Sequence, residues 1–379
     1  MPKMCGRMTP TGRFSPPLSQ RCYIPVGVVF GRMSMSHLFR QSATSATLAV
    51  ALLFLFSLTS YSQAQTKSTS KKNDADLMRR IERISETGGS AEQRLRQFER
   101  LYEEVPADQE TLCIIREKFA QLRPLVKPNV NKARAGVWKV RAFIIRSTDF
   151  KWVENDVSRE YQASFNEDEI ERIKRGLKGF EDFVWKFSDG WLRINWTCEV
   201  VDATLTKFDA IGDRYWSGPS ATMDILPNIP KNSVDTIMTF VKTGGDNVPK
   251  AKNDPIPLYC FGAAIGEWDP QIRGATYITF HWATDSAVTE PDGEPMMHEW
   301  LHSLQWALEN RLGYPEGLAG NPDGGRLIGE ERDVENADPC YRRDPEKEKS
   351  WIDFYRHILQ THTTRKMLRE ASSRKARKK

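Results

Sequence analysis

Apolar residues recur every three or four positions in three successive stretches. Leu77, Met78, Ile81 and Ile84 form the first set; Leu95, Phe98, Leu101 and Tyr102 the second, after a Gly88-Gly89 break; Leu112, Ile115, Phe119 and Leu122 the third. Such spacing lines one face of a helix and predicts a small helical region over 75–127. Pro124, Pro128 and Gly136 mark its end. From Trp138 to Arg146 the pattern alternates, as in a half-buried strand. Asn166 with Glu169 is spaced as a capping box and opens a long amphipathic helix through Ile170, Ile173, Leu177, Phe180, Val184 and Phe187. Ser188-Asp189-Gly190 stops it. Strands are expected over Trp191–Val201, Val234–Val241 and Ala275–Trp282, with a Gly-, Pro- and Lys-rich surface loop over Gly244–Pro257. A further helix is expected after Pro295, because Met296–Leu312 contains neither Gly nor Pro. The fold class that follows is α+β.

The ends of the chain are read differently. Residues 47–59 are a 13-residue apolar run, preceded by Arg40 and followed by Ser62-Gln63-Ala64. This is the layout of a cleaved secretory signal peptide, with cleavage after Ala64 and Met33 or Met35 as alternative starts. The run is shorter than the roughly 20 residues of a spanning helix, so no permanent membrane anchor is expected. Export to the outside of the cell or the periplasm follows. Residues 65–74 read as a flexible linker. Six of the 55 Lys and Arg, but none of the 50 Asp and Glu, lie in 1–64. The remainder is therefore close to neutral, and the pI of 8.8 is no sign of a nucleic-acid partner. A basic tail is expected over 365–379. Cys113, Cys198, Cys260 and Cys340 lack zinc-cluster spacing and allow one or two disulfides of open pairing.

The chemistry concentrates at His298-Glu299-Trp300-Leu301-His302, which spells H-E-x-x-H. On a helix, residues four apart share a face, so both imidazoles can reach one metal ion. Glu299 then stands beside the open position of that ion, where it can take a proton from water. Two of the chain's six histidines fall in the motif.

The motif resembles that of the zincins, zinc metallopeptidases that share H-E-x-x-H. The order strand, helix, three strands and motif helix resembles the first half of a zincin catalytic domain over roughly residues 137–312. The resemblance implies a zincin-like domain, assigned to 137–364, with a twisted mixed sheet, a backing helix and the active-site helix. It also implies a Zn²⁺ cofactor, a peptide or protein substrate, and a substrate-pairing edge strand, here matched to Gly274–Trp282. Gln305 and Leu308 stand where the metzincin continuation has Gly and His, so the chain is more like the gluzincins.

Reach constrains the third ligand. Glu309 shares the face of the histidines but lies about 13 Å along the axis from the metal. From a helix ending at Leu312 the chain must return about 18 Å, which takes some five extended residues. Glu316 is therefore marginal, although Glu316-Gly317 resembles the Glu-Gly of some gluzincins. Asp323, Glu330, Glu331, Asp333 and Glu335 are all within reach, and Glu330 is the choice made here. His357 and His362, on a C-terminal helix with Trp351, Phe354 and Ile358, are candidates for ligation or for steadying a charged intermediate; Tyr341 and Tyr355 are similar candidates. His281 is expected to be structural. The function expected is a secreted zinc-dependent hydrolase, a peptidase with Glu299 as general base. The rivals are a non-catalytic binding or structural protein on the same scaffold, and a metal-dependent hydrolase acting on something other than peptides.

Overall fold

The computed structural model describes residues 75–104, 109–244, 256–258, 262–266, 270–281, 294–324, 326–327, 338, 340–343 and 352–372. The expected leader, the linker, most of the Gly244–Pro257 loop, Cys260, and Glu330, Glu331, Asp333 and Glu335 lie outside the described residues. Among the described residues, no helix is long and apolar enough to cross a membrane.

The three N-terminal helices form where the apolar spacing places them: α1 over 75–86, α2 over Ala91–Glu104 and α3 over Gln109–Leu122. Leu77, Ile81, Leu95, Phe98, Ile115 and Phe119 are buried. They share one apolar cluster with the sheet and with the H-E-x-x-H helix.

Strand β1 (Gly136–Glu154) is longer than the alternating stretch that predicts it. Asn155 and Asp156 follow at φ 51° and 61°, the left-handed pair that a tight two-residue hairpin requires. The chain then returns as β2 (Val157–Ser164), antiparallel to the outer part of β1. Helix α4 (Glu167–Phe187) opens with both halves of the expected capping box. The Glu169 N–H donates to Asn166 Oδ1, and the Asn166 N–H donates to Glu169 Oε2, each at 2.9 Å. The helix stops at Ser188, Asp189 and Gly190. A Cβ on Gly190 would lie 2.0 Å from the Asn129 carbonyl oxygen, so only glycine fits that turn.

The chain continues as β3 (Leu192–Leu205), a small hairpin of β4 (Asp209–Ile211) and β5 (Arg214–Trp216), and a single turn α5 (Pro219–Thr222). After β6 (Thr236–Val241), β7 (Gly262–Ile265) and β8 (Thr276–Phe280) come α6 (Glu294–Trp306), α7 (Ile352–Thr361) and α8 (Arg365–Glu370). The main sheet runs β3-β1-β6-β8-β7. Its first four strands are parallel and β7 is antiparallel to β8. The protein is thus α+β with a mixed sheet.

Alternation along β1 assigns the two faces. Trp138, Val140, Ala142 and Ile144 enter the cluster shared with α4 and α6. Phe143 and Ile145 enter a second cluster with Trp216, Leu226 and Ile229, from the segment between β3 and β6. A buried ion pair fixes the sheet against the start of α4. The Lys242 ammonium, just past β6, donates to both Glu169 carboxylate oxygens at 2.7 Å. A charge this deeply buried needs such a partner.

Two expectations need correction. The stretch matched to a substrate-pairing edge, Gly274–Trp282, contains β8, which lies inside the sheet between β6 and β7; the edge strand is β7. β7 is four residues of Gly-Ala-Ala-Ile, too short and too uniform to show alternation. The expected basic tail also begins as α8. There Arg365 is paired with Glu99 and Glu92, and Lys366 with Glu103 on α2.

Cys113 on α3 is disulfide-bonded to Cys340, 227 positions away. Cys198 on β3 is free, and burial pushes its thiol up to about 11. The disulfide closes a very long loop. Its removal in Cys113→Ser/Cys340→Ser is therefore expected to lower unfolding stability by roughly 2–4 kcal/mol, read as a lower denaturant midpoint.

Candidate metal centre

Helix α6 is held by its apolar positions. Met296, Met297, Trp300, Leu301 and Leu304 are buried. The Trp300 ring meets Trp138 on β1 edge-on at 5.9 Å and Phe180 on α4 at 5.5 Å. At its far end Trp306 lies against Gly266, just past β7, where a Cβ would come within 2.1 Å of the indole Nε1. Glycine there lets the edge of the sheet meet the helix directly. With Trp300 turned into the core, His298, Glu299 and His302 fall on an adjoining face.

The two histidines lie one turn apart, with ring centroids 5.0 Å apart. Ligand atoms of His298, Glu299 and His302 all lie within 4.8 Å of one another. His298 is 4 % and Glu299 6 % exposed, so the site sits in a largely water-free surround. Burial holds His302 down at about 4, against the upward pull of the Asp323 carboxylate; its ring is therefore neutral at neutral pH.

After Trp306 the helix widens into a π turn over Ala307–Arg311. A left-handed Gly313 (φ 71°) then reverses the chain. Glu309 does not reach the histidines. Its Oε1 accepts the Gly317 N–H at 2.8 Å and pins the returning loop. Tyr102 and Arg116 donate to the carbonyls of Leu318 and Gly317, so α2 and α3 hold the same loop from outside. The loop delivers Asp323, within a short turn Pro322–Gly324.

Among the described residues, Asp323 is the acid from beyond the motif helix that meets both histidines. Its Oδ1 lies 3.3 Å from His298 Nε2 and its Oδ2 lies 3.6 Å from His302 Nε2. Donor atoms each about 2.1 Å from a tetrahedral ion stand about 3.4 Å apart; each imidazole is that close to one of the two Asp323 oxygens, while the tightest donor cluster is His298, Glu299 and His302. Asp323 is 19 % exposed at its side chain, the most open of the set. Glu316 is exposed in the turn and outside the cluster. Glu330, the third ligand chosen from the sequence, and Glu331 lie outside the described residues; among the described loop acids Asp323 is the one that approaches both histidines.

Tyr355, on α7, meets the motif from the other side. Its hydroxyl is 2.9 Å from His298 Nδ1. A partner on Nδ1 fixes the ring and leaves Nε2, the atom facing Asp323, for a ligand. Tyr355 is thus a positioning residue for His298. His357 and His362 do not join this group. They lie with Asp338 in a separate buried cluster, where burial holds His357 at about 3 and His362 at about 4. Tyr341 stacks on His357, with ring centroids 4.3 Å apart. His281, expected to be structural, is buried apart from the motif, and its Nε2 accepts the Ser217 N–H at 3.1 Å. Asp338 had no sequence signal, standing in a stretch of many charged residues.

The arrangement offers two imidazole nitrogens and one carboxylate to a metal, with a second carboxylate, Glu299, beside them. No protein-family model, curated protein or solved structure matches this chain.

Proposed function

We propose that the chain is a zinc-dependent hydrolase with a zincin-like catalytic domain, and that its substrates are peptides. The observation that carries this reading is the convergence of His298, His302 and Asp323 next to Glu299. Two imidazoles and a carboxylate suit Zn²⁺, and three protein donors leave a fourth position open, as catalytic zinc requires. When bound, zinc supplies Lewis acidity to the attacking water and to the scissile carbonyl.

The chain's own groups do the rest. Glu299 takes the proton of the attacking water and returns it to the leaving amine, so that nitrogen departs as a neutral amine. Tyr355 holds the His298 ring. Burial around Glu299 and His298 excludes competing water and strengthens each electrostatic contact.

The sheet supports a peptide substrate. β7 borders it, lies against α6 at Gly266–Trp306 and, among the described residues, pairs only with β8. An extended peptide can add to such an edge through its backbone and place a carbonyl near the metal centre. Export through the 47–59 segment accords with the Cys113–Cys340 disulfide, a bond that persists in oxidising compartments.

The test is cleavage of a denatured protein mixture by the full chain. Cleavage that a chelator abolishes and added zinc restores is the expected result. Zinc-loaded, folded protein that cleaves nothing would sink the peptidase reading. It would favour a binding protein or a hydrolase with another substrate.

A further inference from the structure

A second set of metal-binding groups lies on the far side of α7 and of the Asp323 turn. The donor atoms of Asp338, His357 and His362 lie within 4.8 Å of one another. Asp338 Oδ2 is 2.8 Å from His362 Nε2 and 3.9 Å from His357 Nε2. These separations bracket the roughly 3.4 Å between donors on one tetrahedral ion. The side chains of Asp338 and His362 are 5 % and 1 % exposed, and that of His357 21 %.

The hydrogen bonds around Thr361 decide what these atoms need. Thr361 Oγ1 has three polar neighbours: the His357 carbonyl at 2.9 Å, His357 Nε2 at 3.2 Å and His362 Nδ1 at 3.0 Å. A carbonyl only accepts, so the single hydroxyl proton goes there. With the hydroxyl proton on that carbonyl, His362 donates from Nδ1 to Thr361, and in this tautomer a neutral His362 presents its Nε2 lone pair towards Asp338. Asp338 Oδ2 is buried, and the one close polar group facing it at hydrogen-bond distance is His362 Nε2, at 2.8 Å. Two electron-rich atoms this close, out of water, require a positive centre. A proton on Nε2 would join His362 to Asp338 as an ion pair and leave His357 outside it. A metal ion serves His362, His357 and Asp338 together.

The rest of Asp338 is already engaged. Its Oδ1 accepts the Cys340 N–H at 2.9 Å and faces the Arg116 guanidinium at 3.6 Å. Arg116 is directed elsewhere as well, to Tyr102, Cys340 Sγ and the Gly317 carbonyl. Oδ2 is therefore the oxygen that remains for a ligand.

We propose that Asp338, His357 and His362 form a second site for a divalent transition-metal ion, zinc by donor type, that braces the elements holding the first. The set is two imidazoles and a carboxylate, a borderline donor set that suits zinc better than calcium or magnesium. Its position gives the structural role. The Asp338 N–H donates to the carbonyl of Gly324, the residue after Asp323. Cys340, two residues on, is tied by the disulfide to α3. α7, which carries His357, also carries Tyr355, the partner of His298. Gly320 packs against the His362 ring, where a Cβ would come within 2.9 Å. An ion here would link α7 to the loops at Asp323 and Cys340. This assignment stands independently of the peptidase reading.

The experiment is elemental analysis of the full chain, supplied with zinc chloride and then dialysed. Wild type is compared with His302→Ala, His362→Ala and His357→Gln, with circular dichroism to verify folding. About two zinc ions are expected per wild-type chain, and about one in each variant. The partly exposed His357→Gln variant keeps the test decisive if His362→Ala fails to fold. Folded His357→Gln and His362→Ala proteins that hold as much zinc as wild type would overturn the second site. Zinc lost in those variants but unchanged in His302→Ala would uphold the second site and remove the first.

Discussion

Replacing Glu299 by Gln is expected to lower turnover by about 10²–10⁴-fold while leaving zinc content and fold intact. Gln has the shape of Glu but cannot take a proton, so the change isolates the general base. Glu299 is 6 % exposed and sits among the donors of both histidines. The loss should appear in kcat with KM little changed, because the group acts on the transition state rather than on substrate binding. Steady-state kinetics beside elemental analysis reads both. Wild-type activity in the variant would end the proposed mechanism. Loss of zinc along with activity would make Glu299 a ligand instead, and the general base would have to be sought elsewhere.

Most of the scaffold was legible because its signals are local. The helices at 75–86, Ala91–Glu104, Gln109–Leu122 and Glu167–Phe187 all follow from apolar spacing, and Asn166–Glu169 forms the box its letters predict. The β1–β2 hairpin had a usable signal in Asn155-Asp156, flanked on either side by alternating residues. β7 had none. Three small residues and Ile265 become a strand only because β8 lies beside them, and no window along the chain holds that information.

The metal centre divides the same way. His298, Glu299 and His302 are neighbours on one helix, so a short motif specifies their geometry. Asp323 approaches from a separate loop, 21 residues beyond His302. Reach alone admitted it with several other acids. Among the described residues, the π turn at Ala307–Arg311, the left-handed Gly313 and the Glu309–Gly317 bond return the chain so that Asp323 meets the histidines. Those are tertiary outcomes. The Asp338–His357–His362 cluster was less legible still. Its histidines were singled out one by one, but nothing in the chain pairs either with Asp338 before the Cys113–Cys340 disulfide brings the segment back.

Asp323→Ala should remove zinc from the first site, whereas Glu330→Ala should leave it bound. The scale is set by Tyr355→Phe, which deletes only the hydroxyl next to His298 Nδ1. Loss of such an outer partner costs about 10–100-fold in metal affinity. Asp323 faces both Nε2 atoms directly, at 3.3 and 3.6 Å. Its loss should therefore exceed 100-fold, or more than about 2.7 kcal/mol. Competition with a zinc-binding dye of known affinity measures all three variants on one scale. The second cluster adds a background of tightly held zinc, so the titration belongs in the His362→Ala protein, where only the first site contributes. If Glu330→Ala weakens binding and Asp323→Ala does not, the ligand set is His298, His302 and Glu330. Asp323 would then be a carboxylate that pairs with the histidines only in the absence of metal. The reverse result would mean that the loop closed by Glu309 and Gly317 exists to place Asp323. The turn after the motif helix would then belong to the site as much as the motif does.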